Sequence, residues 1–223
     1  PVAGLYDVVE VVPKEGEGVA FEGSGIVVDC PQQKNLCVRA ARLMQERFGV
    51  GGIGIKLDKR VPFGAGLGGG SADAAFALKM LNELCALGLT EDQLAGYAAR
   101  LGSDCAFFIY NRPMIGEGRG EVLTEYPVDL EGLDLQVLTP EGISVSTKDA
   151  YGGIRPHLPE IPLREALSRP VEEWDGILVN DFEETVFVKY PELAAIKRSL
   201  YDSGAVYASM SGSGSALFAL YRK

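Results

Sequence analysis

Histidine is nearly missing from this 223-residue chain, which holds His157 alone, and its four cysteines, Cys30, Cys37, Cys85 and Cys105, include no Cys-x-x-Cys pair. That leaves too few imidazole and thiolate ligands for a zinc centre and no spacing that reads as a disulfide framework. No protein-held metal set is expected, and the cysteines, set in apolar stretches, are expected as buried free thiols. No apolar run approaches the roughly 18 residues a membrane-spanning helix needs. No charged-then-apolar leader opens the chain, so the cytoplasm is the expected compartment. Basic residues are also short: 21 Lys and Arg stand against 31 Asp and Glu, a formal charge of −10, and no basic run exceeds a pair such as Lys59-Arg60 or Lys197-Arg198. Neither nucleic acid nor a membrane is expected as a partner of such a surface. An acidic protein that binds an anion must do so by local means, such as the backbone N–H groups at a helix start.

What the chain has in quantity is apolar residues, 47%, and glycine, 28 residues. The apolar share suits one large domain or two small ones with a genuine core. Tyr6–Val12 and Val19–Val28 read as strands joined across the polar Pro13–Gly18. Asn35–Phe48 mixes Leu36, Val38, Ala40, Ala41, Leu43 and Met44 with arginines at helical spacing and closes at Gly49. Ile53–Leu57 alternates as a strand and Ser71–Leu87 is helical. Thr90 and Gln93 form a capping box for a helix ending near Leu101-Gly102. Cys105–Tyr110 reads as a buried strand. The glycine-rich Gly116–Gly120 breaks the composition and places a domain boundary just after it, dividing residues 1–125 from 126–223. Beyond it, Leu133–Leu138 reads as a strand, and Thr147–Tyr151 and Leu163–Leu167 as short helical turns. Pro191–Tyr201 reads as a helix with Pro in its first turn, and Ala205–Tyr221 as strand, glycine turn, strand. The fold class is α+β, in two lobes.

The run Pro62-Phe63-Gly64-Ala65-Gly66-Leu67-Gly68-Gly69-Gly70-Ser71 carries the most chemistry. Glycines remove the Cβ atoms that would keep an anion from backbone N–H groups. Ser71 then opens a helix whose positive dipole end points the same way. A mobile turn is the plain alternative. Gly64, Gly66 and Gly69 satisfy G-x-G-x-x-G, but the acidic residue a dinucleotide fold needs about 20 residues on is replaced by Leu87-Gly88-Leu89-Thr90. A Walker loop fails as well, because Gly70 stands where its Lys should be. On this basis a side chain at Gly69 is expected to displace phosphate at small cost in stability.

The stretch PFGAGLGGGSADAA, Pro62 to Ala75, resembles the second signature of the galactose, homoserine, mevalonate and phosphomevalonate kinase superfamily. Asn35-Leu36, Lys59-Arg60-Val61-Pro62, Leu101-Gly102-Ser103-Asp104 and Met210-Ser211-Gly212-Ser213-Gly214 follow the pattern, in order, of the branch that acts on a cytidine diphosphate-linked methylerythritol. The resemblance implies a two-lobed fold with the phosphate loop between a strand and a helix. It implies phosphorylation of that small molecule's 2-hydroxyl, on the methylerythritol phosphate route to isoprenoids, with ATP and Mg2+. Two other readings stay open: a nucleotide-binding module without turnover, and a superfamily kinase for another small molecule.

Carried over residue by residue, the resemblance makes Asp104 the acceptor of the hydroxyl proton, where position alone reads a turn-capping Asp. It puts Pro62, Gly64, Gly66, Gly68, Gly69, Gly70 and Ser71 around the phosphates, with the turn Gly212, Ser213 and Gly214 beside them. Asn35 and Lys59 fall beside the adenine; otherwise Asn35 is a helix cap and Lys59 a strand-end charge. Thr147 and Tyr151 fall in the cytidine pocket, the ring of Tyr151 against cytosine, though a core Tyr fits too. His157 reads as a loop residue without a role. The Ala-Lys-Ile/Leu-Asn-Leu and Asp-Gly-Tyr-His segments of that branch have no counterpart here, and its further strand and helix beyond Lys223 are missing. Both ends are therefore expected to be cut.

Overall fold

The computed structural model describes residues 2, 4–27, 30–118, 120–155 and 157–223. They divide into two compact units, one formed by the described residues of Ala3–Phe63 and Gly68–Pro127, the other by Val2, Gly64–Leu67 and the described residues of Val128–Lys223.

In the first unit, strand β1 (Val8–Lys14) and strand β2 (Val19–Gly25) are followed by helix α1 (Leu36–Phe48) and strand β3 (Gly52–Lys59). The sheet order is β1-β3-β2. β1 runs antiparallel to β3 and β2 parallel to it, so α1 is the crossover that a parallel pair requires. The Asn35 side chain caps α1 by accepting the N–H of Cys37, and Gly49, at φ +65°, closes it. Helix α2 (Gly69–Leu84) lies on α1 through an alanine-rich face in which Ala40, Ala41, Ala74, Ala75, Ala77, Leu78 and Leu81 are buried. Small side chains let the helix backbones approach, and the leucines supply apolar area worth about 2 kcal/mol each when fully buried. Helix α3 (Glu91–Ala98) starts on the expected capping box, with both Thr90–Gln93 bonds formed. Helix α4 (Cys105–Tyr110) packs on α2 and α3, and a hairpin of β4 (Met114–Glu117) and β5 (Val122–Glu125) ends the unit.

The second unit is built on β6 (Leu133–Leu138), helices α5 (Thr147–Gly153), α6 (Leu163–Leu167), α7 (Phe182–Lys189) and α8 (Pro191–Asp202), then β7 (Tyr207–Met210) and β8 (Leu217–Arg222). Its sheet has the order β6-β8-β7 and is antiparallel throughout. Leu193 and Leu200 of α8 bury against Ala208, Met210, Leu217 and Ala219. A second cluster holds Val171, Trp174, Tyr207 and Leu220, with the Trp174 and Tyr207 rings edge to face at 5.6 Å.

Several sequence expectations change. Cys105–Tyr110 is helix α4, not a strand: Cys105, Ala106 and Ile109 face inward while Phe107 and Phe108 are partly exposed, a helical period hidden in six apolar-looking residues. Ser71 does not open its helix, because α2 begins two residues earlier at Gly69, with Gly68 at φ +67° as its cap. That helix also stops at Leu84 rather than Leu87, where Asn82 turns its side chain onto the N–H and C=O of Leu89. Of the glycine-rich stretch, Gly116 and Glu117 end strand β4, and Gly118 and Gly120 lie between β4 and β5. Val28, expected at the end of the second strand, and Arg119, within that stretch, lie outside the described residues. Cys37 and Cys105 are buried, whereas Cys30 and Cys85 are partly exposed.

Candidate active-site elements

The glycine run is shared by the two units, Gly64–Leu67 in the second and Gly68 onward in the first. Glycine is demanded at two of its positions. At Gly66 (φ +74°) a Cβ would collide with the Ser211 carbonyl, and at Gly68 it would lie 2.8 Å from the Phe108 ring. The N–H groups of Gly69, Gly70 and Ser71 head α2 and form no hydrogen bond among the described residues, the first helical bond being Ala72 N–H to Gly68 O at 2.9 Å. Three unpaired donors at the positive end of a 16-residue helix are able to receive an anion. Gly70 opens on empty space, whereas a Cβ at Gly69 would stand 3.0 Å from the Lys59 ammonium and 3.2 Å from Val61. A side chain at Gly69 therefore strikes the interior, contrary to the expectation from sequence that it would only displace phosphate.

Beneath Gly69 lies a cluster that sequence reasoning did not find. Lys59 is only 3% exposed, and its ammonium is ion-paired to Asp7 and, at 2.9 Å, to Asp73. Asp7 Oδ1 also accepts the N–H groups of Arg60 (2.6 Å) and Val61 (2.8 Å). Burial alone would raise the Asp7 carboxyl, but Lys59 and the two backbone donors outweigh it and hold it below the usual range. Asp73 is pushed up to about 6, chiefly by burial, which the pull of Lys59 offsets only in part. Position alone makes Lys59 a solvated strand-end charge; its ammonium is instead buried between two carboxylates. The sequence signal available was Asp73, a lone acid on an alanine-rich helical face. Asp7 lies 52 residues from Lys59 and carried none.

A pocket of about 210 Å³ opens beside this cluster, lined by Phe21, Ile26, Val27 and Leu57 with Asn35 and Lys59. Asn35 Oδ1 is engaged in capping α1, and its amide nitrogen donates to no protein group among the described residues. Capping and ligand contact are thus compatible in one side chain. Pro62 follows Val61, which Asp7 anchors.

Asp104 immediately precedes α4, is exposed, and caps nothing: its one hydrogen bond among the described residues is from Ser103 Oγ at 3.1 Å. The turn-capping role that position alone favours is not seen. Helix α4 lies along the phosphate-loop end of α2, with the Phe108 ring over Gly68 and Cys105 beside Ser71. Asp104 therefore sits at the same end of the unit as the unpaired N–H groups.

In the second unit the turn Gly212-Ser213-Gly214, at φ +54° and +86° for its glycines, packs on the loop: Ser211 Oγ donates to Gly66 O at 2.9 Å and Ala216 N–H to Ala65 O at 3.0 Å. Thr147 Oγ1 and Ser213 Oγ are 3.5 Å apart, and Ser215 Oγ donates to Ile143 O at 2.7 Å. The segment that carries Thr147 is thereby tied to the turn. The Tyr151 ring, 64% exposed, is not a core residue; it stands edge-on to Phe182 at 4.9 Å. His157 lies on a loop, its Nδ1 3.3 Å from Arg155 O. Among the described residues no group of three or more His, Cys, Asp or Glu could hold a metal, and no helix is long and apolar enough to cross a membrane.

The same segments match known proteins. Residues 35–112 match the GHMP kinases N terminal domain and residues 163–223 the GHMP kinases C terminal domain. A solved homoserine kinase from Cytophaga hutchinsonii superposes with a TM-score of 0.75 at 23% identity over 97% of this chain and 76% of its own, which speaks for the fold alone. The chain is thus an α+β small-molecule kinase of the GHMP class. A 4-diphosphocytidyl-2-C-methyl-D-erythritol kinase from Bacteroides thetaiotaomicron is 47% identical over 99% of this chain and 81% of its own length. The crystal structure of a 4-(cytidine 5'-diphospho)-2C-methyl-D-erythritol kinase superposes with a TM-score of 0.77 at 32% identity, over 96% of this chain and 76% of that one. Within its class the chain belongs to the 4-diphosphocytidyl-2-C-methyl-D-erythritol kinases.

Two predictions follow from the geometry of the first unit. Between pH 4 and 6 the folded chain keeps a proton on Asp73 that the unfolded chain releases, so this group alone makes stability fall as pH rises through that window. Asp73→Asn removes the effect. Relative to the parent, its unfolding free energy should rise between pH 4 and 7, by about 3 kcal/mol at most, in urea titrations at each pH; parallel profiles would contradict the raised carboxyl. Gly70→Val should abolish binding of a non-hydrolysable ATP analogue in calorimetry while keeping the melting temperature. Gly69→Val should instead melt early, by about 1–3 kcal/mol of overpacking. A Gly70→Val protein with parental affinity would count against the helix start as the phosphate site.

Proposed function

We propose that this chain transfers the γ-phosphoryl group of ATP to the 2-hydroxyl of 4-diphosphocytidyl-2-C-methyl-D-erythritol, a step of the methylerythritol phosphate route to isoprenoid precursors. Family membership supports the substrate, and one observation carries the chemistry: three unpaired N–H groups at the start of α2 lie at the same end of their unit as an exposed, uncapped Asp104. Phosphoryl transfer asks a protein mainly for positioning and charge stabilisation. The N–H groups of Gly69, Gly70 and Ser71 supply the charge, with Gly64 leaving open space and Gly66 and Gly68 shaping the loop by their close packing on Ser211 and Phe108. The adenine takes the pocket of Asn35 and Lys59, beside Pro62. Gly212, Ser213 and Gly214 hold the loop from the second unit, where Thr147 and the exposed Tyr151 ring receive the cytidine, a flat base against a flat ring.

As the O–P bond forms and the bond to ADP breaks, the proton of the 2-hydroxyl passes to the Asp104 carboxylate. Mg2+ bound with ATP would neutralise phosphate charge, as it does for ATP generally. Because the reaction draws on ATP, the cytoplasm is its compartment.

Asp104→Asn keeps the shape and removes the base, and kcat should fall about 10²-fold or more, toward the lower end because a dissociative transition state needs its base partly for orientation. The KM for either substrate should change far less. An Asn variant that turns over at the parent rate would overturn the role. A parent that binds nucleotide and cytidine diphosphate yet never turns over would favour the binding-module reading instead.

A further inference from the structure

Asn180 uses its whole amide in two directions. Its Oδ1 accepts the N–H of Phe182 at 3.0 Å, and its Nδ2 donates to the carbonyls of Met210 and Gly212, both at 2.8 Å. An asparagine amide offers two N–H donors and one carbonyl acceptor, so no group of Asn180 is left over. On one side, Phe182 opens α7 and stands edge-on to Tyr151, while Thr185 packs on Gly153 and Lys189 pairs with Asp149 at 2.8 Å. Those contacts seat α5, and with it the Tyr151 ring, on α7. On the other side, Gly212 begins the turn that packs on Gly66 of the phosphate loop.

We propose that Asn180 is a positioning residue that fixes the Gly212–Gly214 turn and the base-side aromatic ring to one frame within the second unit, so that the ring and the loop segment Ala65-Gly66 braced by that turn are held at a set spacing. It touches neither substrate. The inference rests on the reading of Tyr151 as the cytosine platform and of Gly212–Gly214 as support for the phosphate loop. Its physical basis is that transfer between two bound substrates depends on alignment, and a displacement of about 1 Å can cost about 10²-fold in rate.

Asn180→Asp separates the two directions. It keeps the acceptor for Phe182 but turns a carboxylate on two carbonyl oxygens, so the turn is released while α7 stays seated. The expected result is a fall of about 10- to 100-fold in kcat/KM for ATP, with the Kd for cytidine diphosphate, by calorimetry, near that of the parent. Asn180→Ala also releases Phe182 and should weaken cytidine diphosphate binding as well. An Asp variant with parental kcat/KM for ATP overturns the inference, and so does one in which only the melting temperature falls. If that variant does not fold, Asn180→Gln, whose donors stand one methylene further out, takes its place: a reduced kcat/KM for ATP supports the link and a parental value overturns it. Tyr151→Ala distinguishes the inference from the reading beneath it. An unchanged Kd for cytidine diphosphate there removes the platform and overturns the link with it. A raised Kd there, with parental kinetics in Asn180→Asp, rejects the link alone.

Discussion

One buried ammonium, that of Lys59 held between Asp7 and Asp73, is the constraint on which the first unit depends. It joins three pieces of chain far apart in sequence: the approach to β1, the end of β3, and the second turn of α2. Asp7 extends the lock by taking the N–H groups of Arg60 and Val61, which would otherwise be orphaned where the sheet ends and the loop begins. A buried ion cluster adds little net stability, because desolvation offsets the Coulomb gain, but removing one member costs about 3–5 kcal/mol by stranding its partners. The cluster's effect is geometric. It leaves no room for a side chain at Gly69 and so sets where α2 can begin.

From that starting point the binding chemistry follows. In a chain of formal charge −10 without a basic patch, backbone dipoles are the means of holding a polyanion in the function proposed. The lysine nearest the loop, Lys59, is neutralised by two carboxylates and turned inward. Positive potential comes instead from the unpaired N–H groups that head α2, a helix packed on α1 through its alanine-rich face. In the second unit, the Gly212–Gly214 turn braces Ala65 and Gly66, and the same unit carries the Tyr151 ring on α5 and α7.

Legibility in the sequence tracks the range of the interaction responsible. Helix α1 between Asn35 and Gly49, the Thr90–Gln93 box of α3 and Pro191 at the head of α8 are local signals, and sequence places those helix starts to within a residue or two. Helix α4 reads as a strand and α7 escapes notice because six to eight residues rich in Phe, Val and Ile show a β composition, while their helical period is set by packing. The glycine run raises the expectation of an anion site, but that Gly69 faces the interior while Gly70 faces open space depends on Lys59. Asp7 and Asn180 act on partners up to 54 and 32 residues away, through hydrogen bonds that no local pattern encodes.

The most direct test of the account is the response of individual backbone amides. In two-dimensional amide NMR spectra of the protein titrated with a non-hydrolysable ATP analogue, the signals of Gly69, Gly70 and Ser71 should shift together and saturate at the same ligand concentration, as their N–H groups pass from water to phosphate oxygen. If the analogue binds and those three signals stay where they were while others move, the phosphates lie elsewhere and the helix start is not the receptor.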